Sequence, residues 1–386
     1  MRAELKVPGG KLITVELEVA EALNSADSAS VAEQSKHGPF RISAAKLAGD
    51  FFIEPDEALG VIEGALHCQP VDSSASSLAG VIEEALIRAY GNDWKLIGFR
   101  VEDVARVVMR ALGTEQGEVS PALEIPVGKT PDWRSLEWEI IRHEPLPAAV
   151  QVALDQVLTE SVAEGKRKPT LRIWEWDASA IIIGSFQSVK NEVDIKAATA
   201  ENLQVIRRIS GGGAMLMEAG TVITYSLYIP TSFVAGMSFE ESYRFLDSWA
   251  IAALRGLGVD AEYKPLNDIA SPLGKIGGAA QKRLAKGAVL HHVTIAYEID
   301  GEKMMRVLRI GREKLSDKGI KSAAKRVDPL SKQLGRPRED IVAAFEKGFT
   351  ELTSATRGGI TAEELAEAEA LAVTKFTDVE WTYRIP

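Results

Sequence analysis

The spacing of apolar positions changes along this chain, and each spacing predicts an element. In residues 11–19, Leu12, Val15 and Leu17 alternate with Thr14, Glu16 and Glu18, the period of a strand, although Ile13 breaks strict alternation. Residues 4–6, the Pro8-Gly9-Gly10 turn and this stretch together predict a β-hairpin. Residues 20–38, rich in Ala, Ser and Asp, predict a weak helix or a loop, and residues 40–47 a further strand. Leu59, Ile62 and Leu66 recur at helical spacing, as do Leu78, Ile82 and Leu86, and then Val104, Val107, Val108 and Leu112. The simplest assembly of these elements is a small α+β domain.

The pattern lapses over residues 114–131, where Pro121, Pro126 and Pro131 stand among Gly, Glu and Ser. It resumes as a second domain. Residues 133–142 predict a strand, and Val150, Leu154, Val157, Leu158 and Val162 predict a helix over 147–164, closed by Gly165. Residues 171–176 alternate, and the apolar run 180–183 suits a buried strand. A short helix over 194–202 and a strong strand over 221–229 follow. Phe239, Tyr243, Leu246, Trp249, Ile251 and Leu254 predict one long amphipathic helix over 238–257. The strand predicted over 288–299 carries adjacent His291 and His292. Neighbours on a strand face opposite ways, so at most one of the two faces a pocket. Helices over 340–352 and 361–374 come next, the latter opened by Thr361 with Glu364 three residues on. Residues 381–383 predict a closing strand.

A length of 386 residues favours two or three domains. The formal net charge of −10 opposes a general nucleic-acid binder. Residues 303–342 are locally rich in Lys and Arg, which reads equally as a partner-facing patch or a solvated face. Cys68 is the only cysteine, so no intramolecular disulfide forms, and a reducing compartment fits. No secretory leader or run of membrane-spanning length is visible. The expectation is a cytoplasmic protein with neither a nucleic acid nor a membrane as partner.

Two glycine-rich clusters carry the candidate chemistry. The first is Arg207-Arg208-Ile209-Ser210-Gly211-Gly212-Gly213-Ala214, set between two apolar elements. Glycines let backbone approach a ligand closely, and guanidinium forks match carboxylate or phosphate. The stretch is either an anion-binding loop or a tight connection with its arginines in solvent. The second cluster is Asn267-Asp268, followed by Gly274-Lys275-Ile276-Gly277-Gly278-Ala279-Ala280-Gln281. A lysine held among glycines is suited to neutralising a phosphate or a polarised acyl oxygen. The order of residues is not that of a P-loop.

These clusters resemble a known family. RRISGGGAMLMEAGTVITYS is similar to the RRxSGGG motif of the lipoate-protein ligase A family, within the biotin/lipoate ligase superfamily. IIIGSFQS at 181–188 resembles the strand-glycine-glutamine motif before it, and GKIGGAAQ with the later His291-His292-Val293-Thr294 resembles the lysine and HHGT segments after it. Residues 318–330 resemble the segment that ends the catalytic core. KVPGGKL at 6–12 and AGDFFIEPDEAL at 48–59 resemble the family's accessory domain, here placed first. The resemblance implies an accessory domain over 1–115, a linker over 116–131, and over 132–386 an α/β (α+β) catalytic domain around a mixed β-sheet with a C-terminal helical extension.

It further implies ATP-dependent activation of lipoate or octanoate to an acyl-adenylate, then transfer to a carrier lysine. The expected partners are lipoyl domains of 2-oxoacid dehydrogenase complexes or the glycine-cleavage carrier, and the expected cofactors are ATP and Mg²⁺. By motif, Lys275 is the catalytic residue. Arg208, Ser210, Gly211, Gly212, Gly213, Asn267, Asp268, Gly278 and His292 bind substrate or ATP, with Asp268 also meeting Mg²⁺ and Arg207 supporting the loop. The chain departs from the family pattern at Met217-Glu218, where relatives have His-Asp, at Val293 in place of glycine, and at Ser188 in place of asparagine. The competing readings are an octanoyl or lipoyl transferase, a biotin ligase-like enzyme, and a non-catalytic lipoyl-binding protein. The transferases of this superfamily need a thiol, and Cys68 lies outside the catalytic resemblance.

Overall fold

Burial follows the sequence pattern closely in the first part of the chain. The computed structural model describes residues 1–8, 10–21, 40–114, 130–309 and 327–385. Strands β1 (Arg2–Lys6), β2 (Leu12–Glu21) and β3 (Phe40–Gly49) form one antiparallel sheet in that order, with Leu5 opposite Ile13. Ile13 breaks the alternation because Leu12, Ile13, Thr14 and Val15 are all buried, so both faces of β2 are covered there. The short strands β4 (Phe52–Glu54) and β5 (Lys95–Ile97) pair with each other. Helices α1 (Ala58–Leu66), α2 (Ala75–Tyr90) and α3 (Val101–Leu112) bury the predicted stripes: Leu59, Ile62 and Leu66; Leu78, Ile82 and Leu86; Val104, Val107 and Val108. The chain divides into two units, Met1–Leu123 and Glu124–Pro386. Most of the expected 20–38 segment and of the 116–131 linker lies outside the described residues.

The second unit is built on an eight-stranded mixed sheet. In chain order its elements are β6 (Glu139–Arg142), α4 (Ala148–Ala163), β7 (Thr170–Trp174), β8 (Ala180–Ile183), α5 (Val189–Glu192), α6 (Ile195–Ala200), β9 (Gln204–Arg207), β10 (Met215–Met217) and β11 (Val222–Pro230). Then come α7 (Phe239–Leu246), α8 (Ser248–Gly256), β12 (Glu262–Lys264), β13 (Asp268–Ser271), β14 (Gly274–Leu284), β15 (Ala288–Ala296) and α9 (Gly301–Val307). Further helices span Leu330–Leu334, Arg338–Thr353 and Ala362–Leu371, and β16 (Thr356–Arg357) lies between the last two. The strand order is β12-β13-β14-β15-β11-β7-β6-β16, antiparallel as far as β7 and parallel from β7 through β6 to β16. A second sheet, β10-β8-β9, carries β8 at its centre. Fold and sheet are those expected of an α/β catalytic domain preceded in the sequence by a small α+β one.

Three local expectations need correction, and one unassigned stretch gains an element. Residues 133–142 are not one strand: Asp132 caps a 3-10 turn at Trp133–Ser135, and only Glu139–Arg142 is extended. The reason is aromatic packing, since Trp133 and Trp138 both turn inward against Phe233 and Phe349. The long helix over 238–257 is two, parted at Asp247, whose carboxylate accepts from the Tyr225 hydroxyl and meets His291. The glycine-rich GKIGGAAQ stretch, to which the spacing assigns no element, is the start of the eleven-residue β14. The closing strand at 381–383 is instead a helical turn, Val379–Thr382, begun by the Asp378 side chain accepting from Glu380 N–H.

Candidate active site

The arginine-glycine loop leaves β9 and returns as β10. Its path depends on Gly184 at the end of β8, because a Cβ there would lie 2.0 Å from the Gly212 carbonyl oxygen. Gly212 has φ +91°, which favours glycine. A Cβ on Gly213, by contrast, meets no protein atom within 4 Å, so this backbone is open to a ligand. Arg208 is buried, and its guanidinium donates to Ser210 Oγ (3.0 Å), Gly211 O (2.6 Å) and Gly213 O (3.0 Å). It therefore shapes the loop from within. Arg207, fully buried, supports the neighbouring turn by donating to the carbonyls of Gly184, Ser185 and Gln187. Neither arginine faces open solvent. Burial lowers Arg207 to about 9, with help from Arg384 and Arg208, and burial lowers Arg208 to about 10, so both stay cationic near neutrality.

Beneath the loop runs a buried polar chain. Ser210 Oγ lies 2.7 Å from His292 Nε2, and His292 Nδ1 lies 2.7 Å from Asp155 Oδ2. Asp155 also meets Arg172 (3.2 Å), Ser226 (2.8 Å) and Tyr228 (2.7 Å). Burial opposes the Asp155 charge, yet His292 and Arg172 hold its pKa below the usual carboxylate value. Burial lowers the pKa of His292 and outweighs the pull of Asp155. An ionised Asp155 accepts from Nδ1–H, which leaves Nε2 to accept the Ser210 proton while Arg208 donates to the same oxygen. Pattern reasoning missed Asp155. The available signal was a single acid among Val152, Leu154, Val157 and Leu158, where an apolar helix is buried nearly all round. His291 points the other way and pairs with Asp247 at 2.7 Å, so the adjacent histidines do divide between the faces of the sheet.

The lysine cluster shares a cavity with Ala214, where the loop runs into β10. Lys275 Nζ lies 2.7 Å from Asp268 Oδ1, across the β13–β14 pairing that sets Asp268 opposite Gly278. A Cβ on Gly278 would come within 3.1 Å of that ammonium. Asn267 is drawn into β14: its side chain donates to Ala279 O, and its own carbonyl accepts from Ala279 N–H at 2.8 Å. Among the described residues no group of three or more His, Cys, Asp or Glu side chains is placed to hold a metal.

Lys275 and Gly278 open onto a cavity of ≈ 180 Å³. Met215, Leu216 and Met217 of β10, Ile276 of β14, Thr294 and Ala296 of β15, and Met304 of α9 line it. β10 is an edge strand that pairs only with β8 among the described residues. Glu218 also borders the cavity and forms a 3.0 Å ion pair with Lys303. Of the three departures from the family pattern, only Met217-Glu218 touches this cavity. Val293 lies between His292 and Thr294 on β15, so it faces the opposite side of the sheet. Ser188 is buried in the turn after β8, where its Oγ and Gln187 Nε2 have no partner among the described residues.

Thus the structure gathers Arg208, Ser210, Gly211, Gly213 and His292 into one hydrogen-bonded group, with Gly212 in the same loop, and sets Lys275, Asp268 and Gly278 together on β13 and β14. Asn267 holds the strand between them. Residues 147–350 match the family model of the lipoyl protein ligase A/B catalytic domain. The octanoyltransferase LipM of Exiguobacterium is 32% identical over 275 residues, covering 64% of this chain and 98% of that protein. Among solved structures, the bi-partite lipoate protein ligase of Thermoplasma acidophilum, described with its E2 lipoyl domain, is 28% identical with a TM-score of 0.58, covering 65% of this chain and 98% of that one. A lipoate-protein ligase A bound with ATP is 25% identical with a TM-score of 0.57, covering 65% of this chain and 100% of that one. The chain belongs to the lipoyl protein ligase A/B catalytic-domain family.

Proposed function

We propose that this chain is an ATP-dependent acyl ligase that activates lipoate or octanoate and transfers it to a lysine of a lipoyl carrier domain. The observation that carries the reading is Lys275, paired with Asp268 on an apolar cavity that Ala214, at the end of the arginine-glycine motif, also lines. In the first step a carboxylate oxygen of the acid bonds to the α-phosphorus of ATP and pyrophosphate leaves. In the second the carrier amine bonds to the acyl carbon, AMP leaves, and the amine gives up a proton. Negative charge gathers on phosphoryl oxygens in one step and on the acyl oxygen in the other. A fixed ammonium stabilises both.

The remaining groups fit around that lysine. The open backbone at Gly213 lets phosphate or carboxylate approach the loop closely. Apolar walls from Met215, Met217 and Ile276, with the main chain of an edge strand beside them, suit a purine base. His292, neutral and aligned by Asp155, fixes the Ser210 hydroxyl without adding charge. Asp268 is a single carboxylate. That fits Mg²⁺, which takes one or two protein carboxylates and otherwise water and phosphate, and which when bound screens phosphate charge. The likeness to a ligase described with its E2 lipoyl domain supports a lipoyl domain as acceptor.

A second reading follows from the relatives called octanoyltransferases: direct transfer of octanoyl from a donor carrier, without ATP. Thiol-dependent transfer needs a cysteine nucleophile. The only one, Cys68, belongs to the first unit, and the 124–386 unit has none. The two readings separate when an apo lipoyl domain is incubated with the protein and either lipoate, Mg²⁺ and ATP or an octanoyl carrier alone. A mass gain only in the first mixture supports the ligase, and a gain in the second supports the transferase.

A further inference from the structure

The residues after the last predicted helix, outside every motif used above, converge on the arginine-glycine loop. The helical turn Val379–Thr382 ends with its carbonyls aimed at Arg207: Nε donates to Trp381 O (3.1 Å) and Thr382 O (3.0 Å), and Nη2 to Thr382 O (2.5 Å). A cation at the C-terminal end of a helical turn meets both its orphan carbonyls and the negative end of its dipole. Trp381 Nε1 returns a bond to Arg207 O at 2.9 Å. Arg384 stacks on the Trp381 ring, 4.1 Å from its centroid, and donates to Ser185 O (2.9 Å) and Ser185 Oγ (2.5 Å). Ser185 N–H in turn donates to Ser210 O at 2.8 Å. All six hydrogen bonds given by the Arg207 guanidinium end on main-chain carbonyls, three of them on the β8–α5 turn and three on this segment.

We propose that residues 381–384 form a strap that positions the arginine-glycine loop, with Arg384 and Trp381 as positioning residues acting through Ser185 and Arg207. The ligand affected is the carboxylate or phosphate that approaches Gly213, and to that extent the inference rests on the ligase reading. Its geometry stands apart from that reading: two fixed points of the loop, Arg207 and the Ser185–Ser210 contact, are each tied to the same C-terminal turn. The local field also depends on the strap, because Arg384 adds a third guanidinium to those of Arg207 and Arg208, and this positive neighbourhood favours an anionic ligand. Substrate-positioning groups of this kind act at a distance, since small displacements of a site cost rate steeply.

The test uses the full chain as Arg384→Ala, Arg384→Lys and Trp381→Ala. Arg384 is an exposed residue, so its removal leaves the core packed. Amide hydrogen exchange across residues 208–213 is expected to be roughly tenfold faster in both alanine variants than in wild type. Arg384→Lys, which keeps the charge and one donor, is expected to lie between. With lipoate and ATP, kcat/KM is expected to fall about ten- to a hundredfold, chiefly through KM for the anionic substrate, with partial recovery in Arg384→Lys. Unchanged exchange at 208–213 in both alanine variants overturns the strap, whatever the activity. If wild type shows no ATP-dependent transfer, the ligase reading fails, while the exchange result still decides this one.

Discussion

Single residues carry distinct demands at this site. Lys275 meets a ligand in the proposed reaction, so Lys275→Ala is expected to lower ATP-dependent acyl transfer by about a hundred- to a thousandfold while leaving the melting temperature near wild type. The two loop glycines should part company. Gly184→Ala puts a methyl group 2.0 Å from a carbonyl oxygen and is expected to destabilise the protein by roughly 1–3 kcal/mol in urea unfolding. Gly213→Val meets no protein atom at its Cβ, so it is expected to fold normally and to lose at least about tenfold in kcat/KM. Histidines set a pH dependence. Burial, with the Arg172 charge, lowers His143 to about 4, and burial lowers His292. The unfolded chain then binds more protons than the native one between the unperturbed value of 6.5 and the depressed native values, so stability rises with pH through that window. The urea midpoint is expected to fall steadily from pH 7 to pH 4, and His143→Gln is expected to flatten part of that slope.

Among the elements, α4 shows how a buried acid fixes packing. Asp155 joins α4 to β7, β11 and β15 through Arg172, Ser226, Tyr228 and His292. Asp155→Ala strands the fully buried Arg172 guanidinium without its carboxylate, which is expected to cost about 3–5 kcal/mol in urea unfolding. Periodicity located α4 but not Asp155, because a helix buried on most sides gives no polar face against which one acid stands out. The same limit explains β14. Its Gly277 and Gly278 weaken any strand signal, and pairing with β13 and β15 on either side overrides their low propensity. Trp381-Thr382-Tyr383 has strand-like residues, yet Asp378 capping and the demand of Arg207 for carbonyls fold it into a helical turn. Contacts made across nearly two hundred residues leave no trace in local spacing.

At the scale of the molecule, motif order said more than any single element. The arginine-glycine loop, Lys275 and His292 lie on three separate segments, the loop on the three-stranded sheet and the other two on the eight-stranded one, and the fold joins them through one cavity and one polar chain. Their order in the sequence was legible. Their distances, the Glu218–Lys303 pair at the cavity and the inward turn of both arginines were not, because each depends on which faces the sheet covers. The family match leaves one chemical question, since relatives include both ligases and octanoyltransferases. The most direct measurement is the intact mass of an apo lipoyl domain after incubation with this protein, lipoate and Mg²⁺, with and without ATP. A lipoyl mass gain that requires ATP and is lost in Lys275→Ala is the predicted result. A gain from an octanoyl carrier without ATP, retained in Lys275→Ala, would contradict the ligase account.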